Sequence, residues 1–88
     1  MLDPVYTTQF ARDQKRVLKR GKDVKKLGQV MDALIEEKPL PSRHRDHALS
    51  GNYSGRRECH IEPDWLLIYM LSEGEIVFER TGSHADLF

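Results

Sequence analysis

Six residues in the second half of this 88-residue chain carry side chains able to move a proton or hold a phosphate: His47, Glu58, His60, Asp64, Arg80 and His84. Cleavage of an RNA phosphodiester without metal needs few parts. A base takes the ribose 2′-OH proton, the freed oxygen attacks the adjacent phosphorus, a cation stabilises the added negative charge, and an acid protonates the departing 5′-oxygen. Histidine suits both proton roles because its ordinary pKa of about 6.5 lies near working pH. Arginine suits the phosphate as a planar fork that keeps its charge. A carboxylate can orient an imidazole or act as the base itself. These parts are suggestive together and ordinary one by one.

Each residue also has a plainer reading. His44, in the run SRHR, reads as a solvated loop residue, and His47 can equally be a loop histidine bonded to backbone. His60 shares a strand face with Glu58 and could simply be its surface neighbour. Arg80 follows Glu79 and could belong to surface ion pairing worth under about 1 kcal/mol. Trp65, Tyr53 and Tyr69 read as packing residues. Phe88 is either docked in a groove or free to stack on a base. A competing chemistry is a metal held by His60-x-x-x-Asp64 with His84 and His47, but that spacing spans a turn, and no HExxH run or cysteine pair supports it.

Something must bring these groups together, and 88 residues suffice for one domain only. Apolar residues at 39% and charged residues at 32% indicate a globular chain and exclude a disordered one. No apolar run approaches the roughly 20 residues that cross a bilayer, and MLDPVYTTQF lacks the apolar segment of a secretion signal. A single cysteine, Cys59, excludes an internal disulfide, so the cytoplasm is the expected compartment. The net charge of zero conceals a split. Residues 1–45 hold eleven Lys/Arg against six Asp/Glu, a balance of +5; residues 46–88 hold three against eight, a balance of −5. Such asymmetry suits a polyanion on one side of the molecule.

The chain divides as β-α-α-β-β-β. Leu2–Tyr6 is a strand, at an edge because Pro4 lacks a donor. Thr7 or Thr8 caps a helix to about Arg20, with Phe10, Ala11, Val17 and Leu18 as a narrow apolar stripe, and Gly21 ends it. Asp23 caps a second helix to about Glu37, with apolar residues Val24, Leu27, Val30, Met31, Leu34 and Ile35 at helical spacing. Lys38-Pro39-Leu40-Pro41 stops it. Ser42–Ser54 reads as loop. Residues 56–61, RRECHI, alternate as a strand, with Arg57, Cys59 and Ile61 on one face and Arg56, Glu58 and His60 on the other. Trp65–Leu71 is apolar on both parities and belongs in the middle of a sheet. Ile76–Arg80 returns after a turn; Arg80 needs a bulge or strand end to leave the face of Ile76 and Phe78. Ala85–Phe88 is a tail. The expected fold is α+β, an antiparallel helical hairpin on one face of a small, mainly antiparallel sheet.

The segment DHALSGNYSGRRECHIEPDWLLIYML, followed by FERTGSHADLF, resembles the YafQ-type branch of the RelE/ParE toxin superfamily. The H-x-E-P-D-W run and the R-T-G-S-H-x-x-L-F ending are the specific parts, and the helices ahead of them match in pattern. The resemblance implies a RelE-like fold and the toxin half of a bacterial type II toxin–antitoxin pair. It implies an endoribonuclease that cuts mRNA in the ribosomal A site with no cofactor and no metal. Its partners would be a cognate antitoxin, often of ribbon-helix-helix type, the ribosome and mRNA, with operator DNA reached only through the antitoxin complex and no membrane. By position it makes His47, His60, Asp64, Arg80 and His84 catalytic, with His84 the general acid, Arg80 on the scissile phosphate, and Asp64 or His60 the base. Glu58 and Phe88 would position substrate. It gives the basic run Lys15, Arg16, Lys19, Arg20, Lys22, Lys25 and Lys26 a role against ribosomal RNA. The rivals are a non-nucleolytic inhibitor like the ParE branch and a simple nucleic-acid-binding module on the same fold.

Overall fold

A computed structural model describes residues 1–88. Strand β1 (Asp3–Tyr6) leads into helix α1 (Thr8–Lys19) and helix α2 (Val24–Ile35). Four strands follow, β2 (His47–Ala48), β3 (Arg57–Glu62), β4 (Trp65–Ser72) and β5 (Glu75–Gly82), and a four-residue helix, α3 (His84–Leu87), ends the fold. The sheet order is β1-β5-β4-β3-β2, with β1 parallel to β5 and every other pair antiparallel. The α+β helical hairpin on a mainly antiparallel sheet is thus as the sequence implies.

Local chemistry sets the helix ends. The Thr7 hydroxyl accepts from the Phe10 amide and the Asp23 carboxylate from the Lys25 amide, so each helix has a side-chain cap. Gly21, at φ +82°, lets its own amide and that of Lys22 donate back to the Leu18 and Val17 carbonyls, which closes α1.

Both helices cover one sheet face. Phe10, Val17, Leu27, Val30, Met31 and Leu34 pack there on Cys59, Trp65, Leu67, Tyr69, Ile76 and Phe78. Leu66 and Ile68 project from the opposite face, onto Leu87, Leu49 and Tyr53. Strand β4 is therefore buried on both faces, as its unbroken apolar run requires.

Four expectations need correction. The stripe of α1 is carried by Phe10, Asp13 and Val17; Ala11 is exposed and Leu18 is 58% exposed, because the buried face follows i, i+3, i+7 and takes in a charged residue. Ser42–Ser54 is not featureless loop: it holds two single 3₁₀ turns, Ser42–His44 and Gly51–Tyr53, and β2, which pairs with β3 through His47–Glu58 and Ala48–Arg57. Ala85–Phe88 is not a free tail, since most of it lies in α3. His44 is not solvated but buried, its Nδ1 2.6 Å from the His60 carbonyl.

Candidate active site

The sheet register builds the site on the face away from the helices. His47 lies opposite Glu58, Glu58 opposite Ile68, and Ile68 opposite Arg80; one step along, His60 lies opposite Leu66 and Leu66 opposite Gly82. Directly opposed residues of antiparallel strands share a face, so Glu58, His60 and Arg80 project to the same side. Arg80 reaches it because the register shifts between Ile68 and Tyr69: Tyr69 opposes Phe78, Ile68 opposes Arg80, and Glu79 is the extra residue. Ser83 and α3 then carry His84 over the end of β3, and the imidazoles of His60 and His84 stand 6.0 Å apart between ring centres. His47 and His60 are 6.4 Å apart, and His84 and Phe88 6.3 Å.

Asp64 and His84 form the tightest pair. Asp64 Oδ1 accepts both the His84 amide at 2.9 Å and His84 Nδ1 at 2.6 Å. These bonds, the backbone one foremost, hold the Asp64 carboxyl below the usual carboxylate range. An ionised Asp64 fixes the Nδ1–H tautomer and leaves His84 Nε2 facing outward. A carboxylate so committed is a weak base and a good positioner.

Glu58 is buried between two imidazoles, with Oε2 3.2 Å from His47 Nε2 and 3.6 Å from His60 Nε2. The opposite nitrogens face carbonyls: His47 Nδ1 that of Arg45, and His60 Nδ1 that of Pro63 at 3.2 Å. A carbonyl only accepts, so each Nδ1 carries hydrogen. The Nε2 lone pairs then face a carboxylate, an arrangement that is favourable when a proton lies between them. Glu58 thus lies within reach of both Nε2 atoms.

Arg80 reaches the site face with its guanidinium already engaged. Nε lies 2.7 Å and Nη2 3.3 Å from the buried Asp13 of α1. Asp13 also accepts from Arg16 at 2.8 Å, Gln9 at 3.2 Å and the Thr81 amide at 3.1 Å. The partner of Arg80 is therefore Asp13 and not Glu79, which pairs with Arg56 at 3.0 Å. Two arginines around one carboxylate leave net positive charge at the edge of the site.

The basic run divides in the same way. Arg16, Arg20, Lys22 and Lys26 are tied into ion pairs with Asp13, Asp86 and Glu62. Lys15, Lys19 and Lys25 are exposed without a partner. Phe88, 62% exposed, meets the Tyr53 ring edge-on at 5.3 Å between centres, and the Tyr53 hydroxyl donates to the Leu87 carbonyl at 3.1 Å. Sequence reasoning missed Asp13, the support from His44, and the second task of Tyr53. Only Asp13 left a signal, as a charged residue in phase with Phe10 and Val17. Buried Cys59 is no nucleophile, since desolvation pushes its thiol up to about 12.

Acid sensitivity follows from the carboxylates. Asp64, Glu62 and Asp86 are all held below their ordinary values: Asp64 by the His84 bonds, Glu62 first by Lys22 and then Lys26, Asp86 first by Arg20. A depressed folded-state pKa adds stability that is complete above the unfolded value and is lost as pH falls through the folded one. The urea midpoint should therefore hold steady from pH 7 to about 5 and fall progressively below about 4. A flat profile down to pH 2 would show that these pairs do not bear on stability.

A family model described as "Bacterial toxin of type II toxin-antitoxin system, YafQ" matches residues 2–88. The mRNA interferase toxin YafQ of Escherichia coli strain K12 is 47% identical over 87 residues, which cover 98% of this chain and 95% of that protein. The crystal structure of YafQ from E. coli strain BL21(DE3) superposes with a TM-score of 0.95 at 45% identity, covering 100% of this chain and 99% of the other. YafQ in the crystal structure of the E. coli DinJ-YafQ complex superposes at 0.93, with 46% identity and the same coverage.

Proposed function

The chain belongs to the YafQ family of type II toxin–antitoxin toxins, and from that premise we propose that it is an endoribonuclease that cuts mRNA in the ribosomal A site by metal-independent acid–base chemistry. The single observation that carries the mechanism is the strip His47–Glu58–His60–His84–Asp64, with successive imidazoles about one nucleotide linkage apart.

In this reading His60 is the base, since Asp64 is spent on His84. His60 Nε2 takes the 2′-OH proton, and the resulting imidazolium is stabilised by Glu58 at 3.6 Å, with His47 on the other side of that carboxylate. The 2′-oxygen attacks phosphorus. The P–O5′ bond breaks as His84, which enters the step as the imidazolium, delivers its Nε2 proton to the leaving oxygen and is left as the neutral Nδ1–H form, with Asp64 accepting from Nδ1. The products are a 2′,3′-cyclic phosphate and a 5′-hydroxyl. Arg80, pre-oriented by Asp13, faces the charge that builds on the phosphate. Phe88 offers a ring face to a base. No residue of this scheme calls for a cofactor.

A cognate antitoxin is the expected partner, in keeping with the DinJ-YafQ complex among the similar structures. We assign it to the ribbon-helix-helix class, with operator DNA bound only through the complex. Primer extension on a message translated in extract tests the whole reading. Codon-phased breaks that vanish when the antitoxin is added support it. No breaks, with growth arrest retained, would instead favour a non-nucleolytic inhibitor or a nucleic-acid-binding module on this fold.

Ribosome docking falls to the cations that the fold leaves free. Converting Lys15, Lys19 and Lys25 together to Glu should weaken ribosome binding and flatten its salt dependence by about one unit of slope per lost phosphate contact. Sedimentation with ribosomes across a salt series measures this. Equal binding by wild type and variant at every salt would remove the assignment.

A further inference from the structure

The C-terminal helix that bears His84 is only four residues long, too short to hold itself helical. Inside α3, Ser83 and Asp86 cap one another: the Ser83 hydroxyl accepts from the Asp86 amide at 3.2 Å and the Asp86 carboxylate from the Ser83 amide at 2.9 Å. From outside, Arg20 at the end of α1 grips that same carboxylate with both prongs, Nη1 to Oδ2 at 2.6 Å and Nη2 to Oδ1 at 3.0 Å, across 66 residues of sequence. Arg16 Nε approaches Oδ2 at 3.8 Å, while its Nη2 holds Asp13, the carboxylate that orients Arg80. The seat is close-fitting: a Cβ on Gly82 would lie 2.8 Å from Asp86 Oδ2 and 3.2 Å from Arg16 Nη2.

We propose that Arg20 and Asp86 are positioning residues for the reaction: their forked ion pair latches α3 to the end of α1 and so sets His84 and Phe88 against the scissile linkage. The proposal rests on the nuclease reading above and reassigns Arg20 from contact with RNA to an ion pair within the toxin, at its surface. It gives the two ends of the site one support, since α1 holds Arg80 through Asp13 and, through Asp86, the short helix that begins at His84. A forked arginine–carboxylate pair fixes orientation as well as distance, which a lysine cannot do. Catalysis is sensitive to that alignment, because a misplacement of about 1 Å can cost about a hundredfold.

The test separates latch from RNA contact. Arg20→Ala, Asp86→Ala, the double variant and Arg20→Lys are compared with wild type for single-turnover cleavage on programmed ribosomes, for ribosome affinity across a salt series, and for the His84 ring nitrogens by ¹⁵N NMR. Circular dichroism checks folding. The latch predicts about a tenfold fall in cleavage rate for either alanine variant. It also predicts unchanged ribosome affinity and salt slope, no further loss in the double variant, partial recovery in Arg20→Lys, and loss of the fixed Nδ1–H tautomer of His84. Full cleavage by Arg20→Ala overturns it. So does weakened ribosome binding with normal turnover, which would return Arg20 to contact with RNA. If wild type itself cuts nothing, the nuclease reading fails, and the nitrogen spectra alone decide whether the latch sets His84: identical spectra in wild type and variants overturn it.

Discussion

Replacing His84 with alanine should leave the fold intact and slow cleavage by about 10²–10⁴-fold, the range associated with one positioned proton donor. The side chain is more than half exposed and touches no part of the apolar core. Its removal frees Asp64 but opens no cavity, so thermal stability should stay within a few degrees. The effect belongs to the chemical step. Ribosome affinity should be unchanged, and with a message carrying a better leaving group at the 5′-oxygen, such as a bridging phosphorothiolate, the deficit should largely disappear, because that group departs without a proton. Asp64→Asn should fall between the variant and wild type, since it keeps a neighbour at Nδ1 but loses the charge that supports the imidazolium. Cleavage by His84→Ala at the wild-type rate would place the acid elsewhere.

The second large effect concerns stability. Asp13→Ala should cost about 3–5 kcal/mol, the usual outcome of removing one partner from a buried ion pair. For a chain of this size that is a fall in melting temperature of roughly 12 °C or more. Asp13 is wholly buried and accepts five hydrogen bonds from four residues of α1 and β5. Without it the Arg80 guanidinium loses its orientation, and the Thr81 amide is left buried and unpaired. Asp13→Asn should recover little, because an amide presents hydrogens where two arginines present theirs. Thermal melting by circular dichroism reads the loss directly. A melting temperature within about 3 °C of wild type would mean that the cluster's desolvation cost cancels its attraction. Cleavage by the folded fraction should drop too, through Arg80.

Periodicity and punctuation alone determined much of this protein. A threonine at 7 or 8 and Asp23 as caps, Gly21 as a stop, and Pro39 and Pro41 as breakers are local signals, and local signals act over a few residues wherever the chain goes; the structure takes Thr7 as the first cap. The alternation of RRECHI placed Glu58 and His60 on one face, and the unbroken apolar run of β4 placed it centrally, because side-chain direction in a strand depends only on parity. The residue types, with the H-x-E-P-D-W and R-T-G-S-H-x-x-L-F runs, pointed to the family and to its chemistry.

What the tertiary structure decided is every relation that spans the chain. The bulge at Glu79 turned Arg80 to the site face, yet its charge was claimed by Asp13, 67 residues earlier. The 2.6 Å contact of Asp64 with His84, 20 residues on, had no trace in the sequence. Four of seven basic residues that looked free were found paired, since a charge finds its partner in space and not along the sequence. A short strand such as β2 has no pattern of its own to read, being formed only because β3 offers it an edge. Local propensity needs only neighbours in sequence, whereas proton transfer and charge pairing need neighbours within about 3 Å, and folding alone supplies those.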